Sequence, residues 1–121
     1  MSEDSPKRLA FVVSALTGEE LKAVKRDVST VHSILTHPEQ GSCRTDGPAP
    51  IHECQSRAYF EEKLRNVLDA WDIKDQLFFY FSGHGDIRKN NLYCLKMGLK
   101  DSDWYPFNNL MNDLSAEGAN C

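Results

Sequence analysis

Apolar residues along this chain fall into short continuous runs separated by stretches in which they recur every three or four positions, and the alternation predicts strands and helices in turn. Leu9-Ala10-Phe11-Val12-Val13-Ser14-Ala15-Leu16 is a nearly unbroken apolar run of strand length, the pattern of a strand covered on both faces. Thr17-Gly18-Glu19-Glu20 has the spacing of a capping box, with a hydroxyl and a carboxylate three residues apart to satisfy free amides at a helix start. Leu21, Val24, Val28, Val31 and Leu35 then give one apolar helix face to about Thr36. From His37 to Pro50 the residues turn to Pro, Gly, Ser and Asp, a surface loop, followed by a short strand at Ile51 to Cys54. Phe60, Leu64, Val67, Leu68 and Trp71 mark a second amphipathic helix that ends before Asp72 to Asp75. Gln76 to Phe81 is the strongest strand signal, and Leu92 to Leu95 a shorter one. Pro106, suited to a first helical turn, introduces Phe107, Leu110, Met111 and Leu114 at helical spacing. Strand, helix, strand, helix, strand, helix is the order of an α/β layer with a mostly parallel sheet.

At 121 residues the chain can bury one modest core, so residues 1–121 form a single domain. A net charge of -4, with the basic residues dispersed among acids, argues against nucleic acid or an anionic membrane as partner. The longest apolar stretch, Leu9 to Leu16, is far short of a bilayer span, and Met1-Ser2-Glu3-Asp4 is acidic where a secretory signal is basic, so a cytoplasmic location is expected. Cys43, Cys54, Cys94 and Cys121 are widely and irregularly spaced, which suggests reduced thiols and neither a zinc ribbon nor a disulfide framework.

The chemistry gathers in Ser82-Gly83-His84-Gly85-Asp86, directly behind Leu77-Phe78-Phe79-Tyr80-Phe81. In a parallel α/β sheet the carboxyl ends of the strands open into the crevice where ligands bind, so His84 is placed for chemistry. An imidazole there can take a proton from a thiol and later give it to a leaving amine. Gly85 can offer its backbone N–H to a developing oxyanion without a side chain in the way.

Phe78-Phe79-Tyr80-Phe81-Ser82-Gly83-His84-Gly85 resembles the catalytic-histidine motif of the caspase-like cysteine peptidases, in the form common to metacaspases and bacterial caspase-family proteins. Leu9 to Leu16 looks like the family's first strand, Thr17 to Leu35 its first helix, Phe60 to Trp71 the helix before the histidine strand, and Leu92 to Leu95 the short strand after it. The resemblance implies a caspase-like three-layer sandwich, a mostly parallel sheet flanked by helices and incomplete in this chain. It implies a cysteine endopeptidase acting on polypeptides, with His84 as general base and acid, and Gly85 supplying one oxyanion amide. Asp27, in the first helix, falls where similar metacaspases place an acid that accepts Arg or Lys before the cleaved bond, although Lys25 and Arg26 depart from the family's usual neighbours. An exposed helix acid pairing with a nearby lysine is the alternative for Asp27. No cofactor is implied. Calcium activation, seen in some similar metacaspases, cannot be read here because Asp101, Asp103 and Asp113 do not form a ligand loop.

The nucleophile is the missing part. In caspases the histidine precedes the cysteine by about 50 residues, which from His84 lies past Cys121. Cys121 follows Gly118-Ala119-Asn120 rather than an apolar strand, Cys94 reads as a small buried thiol, and Cys43 and Cys54 sit in irregular chain. In the family the cysteine strand lies beside the histidine strand, so Gln76 to Phe81 is left with an open apolar edge. A second polypeptide segment carrying that strand is the expected partner. Two alternatives stand beside this one: an inactive caspase-like scaffold acting through protein association, and a small metal hydrolase built on His84 and Asp86. The last lacks a second histidine at ligand spacing.

Overall fold

The computed structural model describes residues 6–15, 18–72, 74–88 and 91–116. The first apolar run forms β1 (Arg8–Ser14), followed by α1 (Gly18–Thr36), α2 (Arg57–Asp69), β2 (Gln76–Ser82), β3 (Gly85–Ile87), β4 (Tyr93–Lys96), a 3-10 turn at Asp101–Asp103, β5 (Trp104–Pro106) and α3 (Phe107–Ala116). Leu16, Thr17 and residues 117–121 lie outside the described residues, as do the side chains of Leu21, Val24 and Leu114. The Thr17 capping residue and the end of the chain's polar exit are among these.

β1 and β2 pair in parallel, from Arg8 opposite Gln76 to Ser14 opposite Ser82. On its other side β1 is lined by the irregular segment after α1. Arg44 N–H donates to the Arg8 carbonyl (2.8 Å), and Ile51 and Ser14 exchange bonds with β1 and the segment in turn, Ile51 N–H to Val12 O (2.9 Å) and Ser14 N–H to Ile51 O (2.8 Å). The strand expected at Ile51 to Cys54 is thus reduced to one parallel bridge, Val13 with Ile51. Flanked on both sides, β1 is buried from Leu9 through Ser14, as its unbroken apolar run requires. Its odd positions, Leu9, Phe11 and Val13, join Phe60, Leu64, Val67 and Leu68 of α2, with the Phe11 and Phe60 rings 5.8 Å apart. Its even positions, Ala10 and Val12, join Val28, Val31 and Leu35 of α1 together with Phe78 and Tyr80. Each face of the small parallel sheet carries one helix.

The remaining strands correct the expectation of a mostly parallel sheet. β3, β4 and β5 form a separate antiparallel sheet in that order. The reason is connection length: a parallel pair needs a crossover of roughly a dozen residues or more, and the chain between Ile87 and Tyr93 is too short for one. Asn91, in left-handed backbone at φ 58°, helps close that turn. The architecture is a mixed α/β fold with a two-stranded parallel sheet and a three-stranded antiparallel one, and a clear three-layer sandwich is not present among the described residues. Pro106 ends β5 and α3 begins at the next residue, so the proline precedes the helix rather than entering it. Leu95, Met97, Tyr105 and Leu110 bring the antiparallel sheet and α3 into the core on the α2 side. No helix among the described residues is long and apolar enough to cross a membrane.

Two buried acids fasten these pieces. Asp75, fully buried, accepts from the Lys7 backbone N–H (2.7 Å), the Lys7 ammonium (2.8 Å) and the Asp72 N–H (3.0 Å), clamping the starts of β1 and β2. Asp103 accepts from the N–H groups of Arg57 (3.0 Å) and Lys100 (3.1 Å), joining the start of α2 to the 3-10 turn. Ser56 caps α2 by accepting from Tyr59 N–H.

Tyr105 supplies a test of the core. Its ring packs 5.1 Å from that of Phe60, while its hydroxyl is buried with no protein partner. Burial, then the charges of Asp113 and Glu61 against that of Arg57, push the phenol up to about 12 from 10.0. The folded chain therefore keeps this proton where the unfolded chain has released it, so stability falls as pH rises above 10. The loss amounts to about 2–3 kcal/mol by pH 12. Tyr105→Phe is expected to match or exceed wild-type stability at neutral pH, by up to ~1 kcal/mol, and to flatten this alkaline decline. Urea titrations of both proteins across that pH range measure it, and equal alkaline slopes would refute the assignment.

Candidate functional site

The carboxyl ends of β1 and β2 lie side by side, held by Ala15 N–H donating to the Ser82 carbonyl (2.9 Å). His84 leaves the sheet just beyond Ser82, and α1 starts just beyond β1, so the imidazole and the first turn of α1 meet at this end of the sheet. The His84 side chain is 56% exposed, and its Nε2 stands 3.1 Å and 3.3 Å from the two carboxylate oxygens of Glu20. A carboxylate only accepts, so Nε2 donates and the neutral ring keeps its lone pair on Nδ1. Glu20 also sits well for an acid, in the first turn of a helix whose amino end favours negative charge. Its assignment to a capping box missed this tertiary partner, which is 64 residues away in sequence.

The parity of the β3–β4 pairing decides which way the Gly85 backbone faces. Lys96 N–H donates to the His84 carbonyl (2.9 Å) and Arg88 N–H to the Leu92 carbonyl (2.8 Å), so residues 84 and 88 bond toward β4. Gly85, paired with Leu95 between them, turns its N–H away from β4 along the outer edge of β3. Neither Gly83 nor Gly85 is in the left-handed region. What they need is space: a Cβ on Gly83 would come 2.6 Å from the Phe81 ring, and one on Gly85 would collide with the Tyr93 hydroxyl.

β2 is an edge strand among the described residues, paired with β1 alone. Gln76 N–H donates to Lys7 O and Ser82 O accepts from Ala15 N–H, so even-numbered residues of β2 face β1. Leu77, Phe79 and Phe81 accordingly turn their N–H and C=O groups to the unpaired side. Residues Phe78 to Ser82 are only half-buried, in contrast to β1, because nothing among the described residues lies beyond this edge.

No thiol meets His84 among the described residues. Cys43, Cys54 and Cys94 are free and buried, and Cys121 lies outside the described residues. Cys54 donates to the Ser56 carbonyl (3.4 Å) and Cys94 sits in β4 near the Leu92 carbonyl (3.7 Å). Burial pushes the Cys43 thiol up against the opposing charge of Arg8. Burial, reinforced by Asp103 and opposed by backbone hydrogen bonds, does the same to Cys54. Both shifts, at Cys43 and Cys54, disfavour the reactive thiolate.

Asp27 is exposed on α1, seven residues beyond Glu20 and so on the same stripe about 10 Å along the axis. Glu20, rather than Asp27, is the helix acid that reaches His84. Asp27 lines neither of two recesses that flank β1. A recess of about 410 Å³ beside Ala15, Cys54 and Asp103 opens at the same end of β1 as the candidate site, without including His84. The larger one, about 540 Å³ between Lys7, Arg44 and Lys63, lies toward the opposite end of β1. Asp86 accepts from Ile87 N–H and lies 3.9 Å from the Arg88 guanidinium, and no group of acids, cysteines and histidines among the described residues could hold a metal ion. Compared with protein-family models, with curated proteins and with solved structures, the chain finds no match in any of the three.

Proposed function

We propose that this chain is the histidine-bearing part of a caspase-like cysteine endopeptidase domain, completed by a second polypeptide segment that carries the nucleophilic cysteine on a strand beside β2. One arrangement carries the proposal: a solvent-accessible imidazole stands at the carboxyl end of β2, and the far edge of that same strand is unpaired among the described residues. A strand added there in parallel would end level with Ser82 and His84, bringing a residue at its tip toward Nδ1. The thiol would pass its proton to Nδ1, the thiolate would attack the scissile carbonyl, and the Gly85 N–H would donate to the oxyanion. The imidazolium would then give its proton to the departing amine, and water would hydrolyse the thioester with His84 as base. The full three-layer sandwich belongs to this completed assembly.

The burial of Cys43, Cys54 and Cys94, with the Cys43 and Cys54 thiols pushed up, favours a thiol from outside the described residues. The competing scaffold reading keeps the strand addition and drops the chemistry.

A panel of peptides offered to the complete assembly tests the proposal. Cleavage that stops on treatment with iodoacetamide is expected, with preference for Arg or Lys before the cut bond if Asp27 lines the substrate pocket. Cleavage after Asp alone would remove Asp27 from the site, and an assembly that cleaves nothing on the panel would leave the scaffold reading in place.

A further inference from the structure

We propose that Glu20 is the positioning residue of His84, fixing its tautomer and ring orientation so that Nδ1 is the nitrogen that receives the thiol proton; the catalytic part of this statement rests on the peptidase reading above. Both carboxylate oxygens of Glu20 lie within hydrogen-bond reach of Nε2, at 3.1 Å and 3.3 Å, and they belong to a different element from the histidine. An acid in the first turn of α1 is carried by a helix that Val28 anchors in the core. The imidazole, by contrast, follows the exposed Gly83 and precedes Gly85, so its own backbone supplies no neighbouring side chain to hold the ring. A base oriented by a third group through its far nitrogen is the general logic of nucleophile activation. Here that third group is supplied from the loop end of β1, across the joint between the two parallel strands.

The pairing also defines what is left open. With Nε2 committed to Glu20, the other ring nitrogen is available, and among the described residues β2 has its unpaired edge on the side away from β1. The exposed setting sets the size of the effect: an exposed polar pair of this kind changes an equilibrium by at most about five-fold, so Glu20 tunes His84 without being indispensable.

The test is made on the isolated full chain by nitrogen–proton long-range NMR of the histidine rings, with His84 assigned from the spectrum of His84→Gln. The wild-type ring is expected almost wholly as the Nε2–H tautomer. Glu20→Ala is expected to return it to the mixture of a free imidazole, and Glu20→Gln, whose amide oxygen can still accept, to restore the single tautomer. A wild-type ring already in the free-imidazole mixture, or one unchanged in Glu20→Ala, overturns the proposal. In the complete assembly Glu20→Ala is expected to lower kcat about five-fold with KM unchanged, and a rise in KM at constant kcat would contradict positioning. A tautomer change in an assembly that cleaves no peptide would sustain the pairing and remove the peptidase reading, so the two failures are told apart.

Discussion

His84→Ala is expected to abolish peptide cleavage by the complete assembly, lowering kcat on the order of 10³-fold, the middle of the range for loss of a general base. KM should stay within about two-fold, because the imidazole acts on protons rather than on substrate binding. The folded state should be unaffected. The side chain is more than half exposed, and its hydrogen bond to the equally exposed Glu20 contributes at most about 1 kcal/mol. Circular dichroism and a thermal melt beside the kinetic measurement separate the two effects. Unchanged cleavage in a folded variant would leave only the scaffold role, in which β2 binds a strand and the imidazole is incidental.

The second large effect concerns stability. Asp75→Ala is expected to destabilise the chain by about 3 kcal/mol, the lower end of what removing one partner of a buried ion pair costs. This corresponds to a fall in Tm on the order of 10 °C for a domain of this size. Three donors converge on that carboxylate: the Lys7 backbone N–H, the Lys7 ammonium and the Asp72 N–H. Truncation leaves all three unpaired at the point where β1 and β2 begin, although the Lys7 ammonium, part-exposed, can turn to water. Burial opposes ionisation of Asp75, but its hydrogen bonds to Lys7 and Asp72 and the Lys7 charge outweigh that and hold the carboxyl below its ordinary value. The sign of the pH effect follows. The unfolded chain binds a proton at higher pH than the folded one, so the stabilisation is fully present above the ordinary carboxyl pKa and is lost as pH falls through the lowered one. Acid titrations of wild type and variant should therefore converge at low pH. Curves that stay parallel would contradict the assignment.

The elements built on long apolar patterns were legible in the sequence, and those built on contacts were not. β1, α1, α2, β2 and α3 each carry enough periodic apolar residues to be read within a residue or three at the ends. β3 and β5 are three residues long, and β3 is exposed throughout, so neither has an alternation to detect. Missing them is what made the sheet look mostly parallel. A histidine between glycines after an apolar strand is a local signal that sequence can carry, and the structure places His84 exposed just past the end of β2. Glu20 was visible only as a helix-start acid, since its partner is 64 residues away, and Asp75 only as a loop acid, since its partner is 68 residues away. A sequence pattern reports which residues share a face, and it is silent on which distant polar group an acid will meet.

The proposal that His84 activates a thiol is tested most directly by the rate at which iodoacetamide alkylates the assembly, comparing wild type with His84→Ala. Cys43, Cys54 and Cys94 are buried and contribute little to the fast phase. One rapidly reacting cysteine on the partner segment is expected with His84 in place, slowing at least about ten-fold in His84→Ala because less of it is thiolate. A fast cysteine that reacts equally in both proteins, or none on any segment beside β2, would contradict the account.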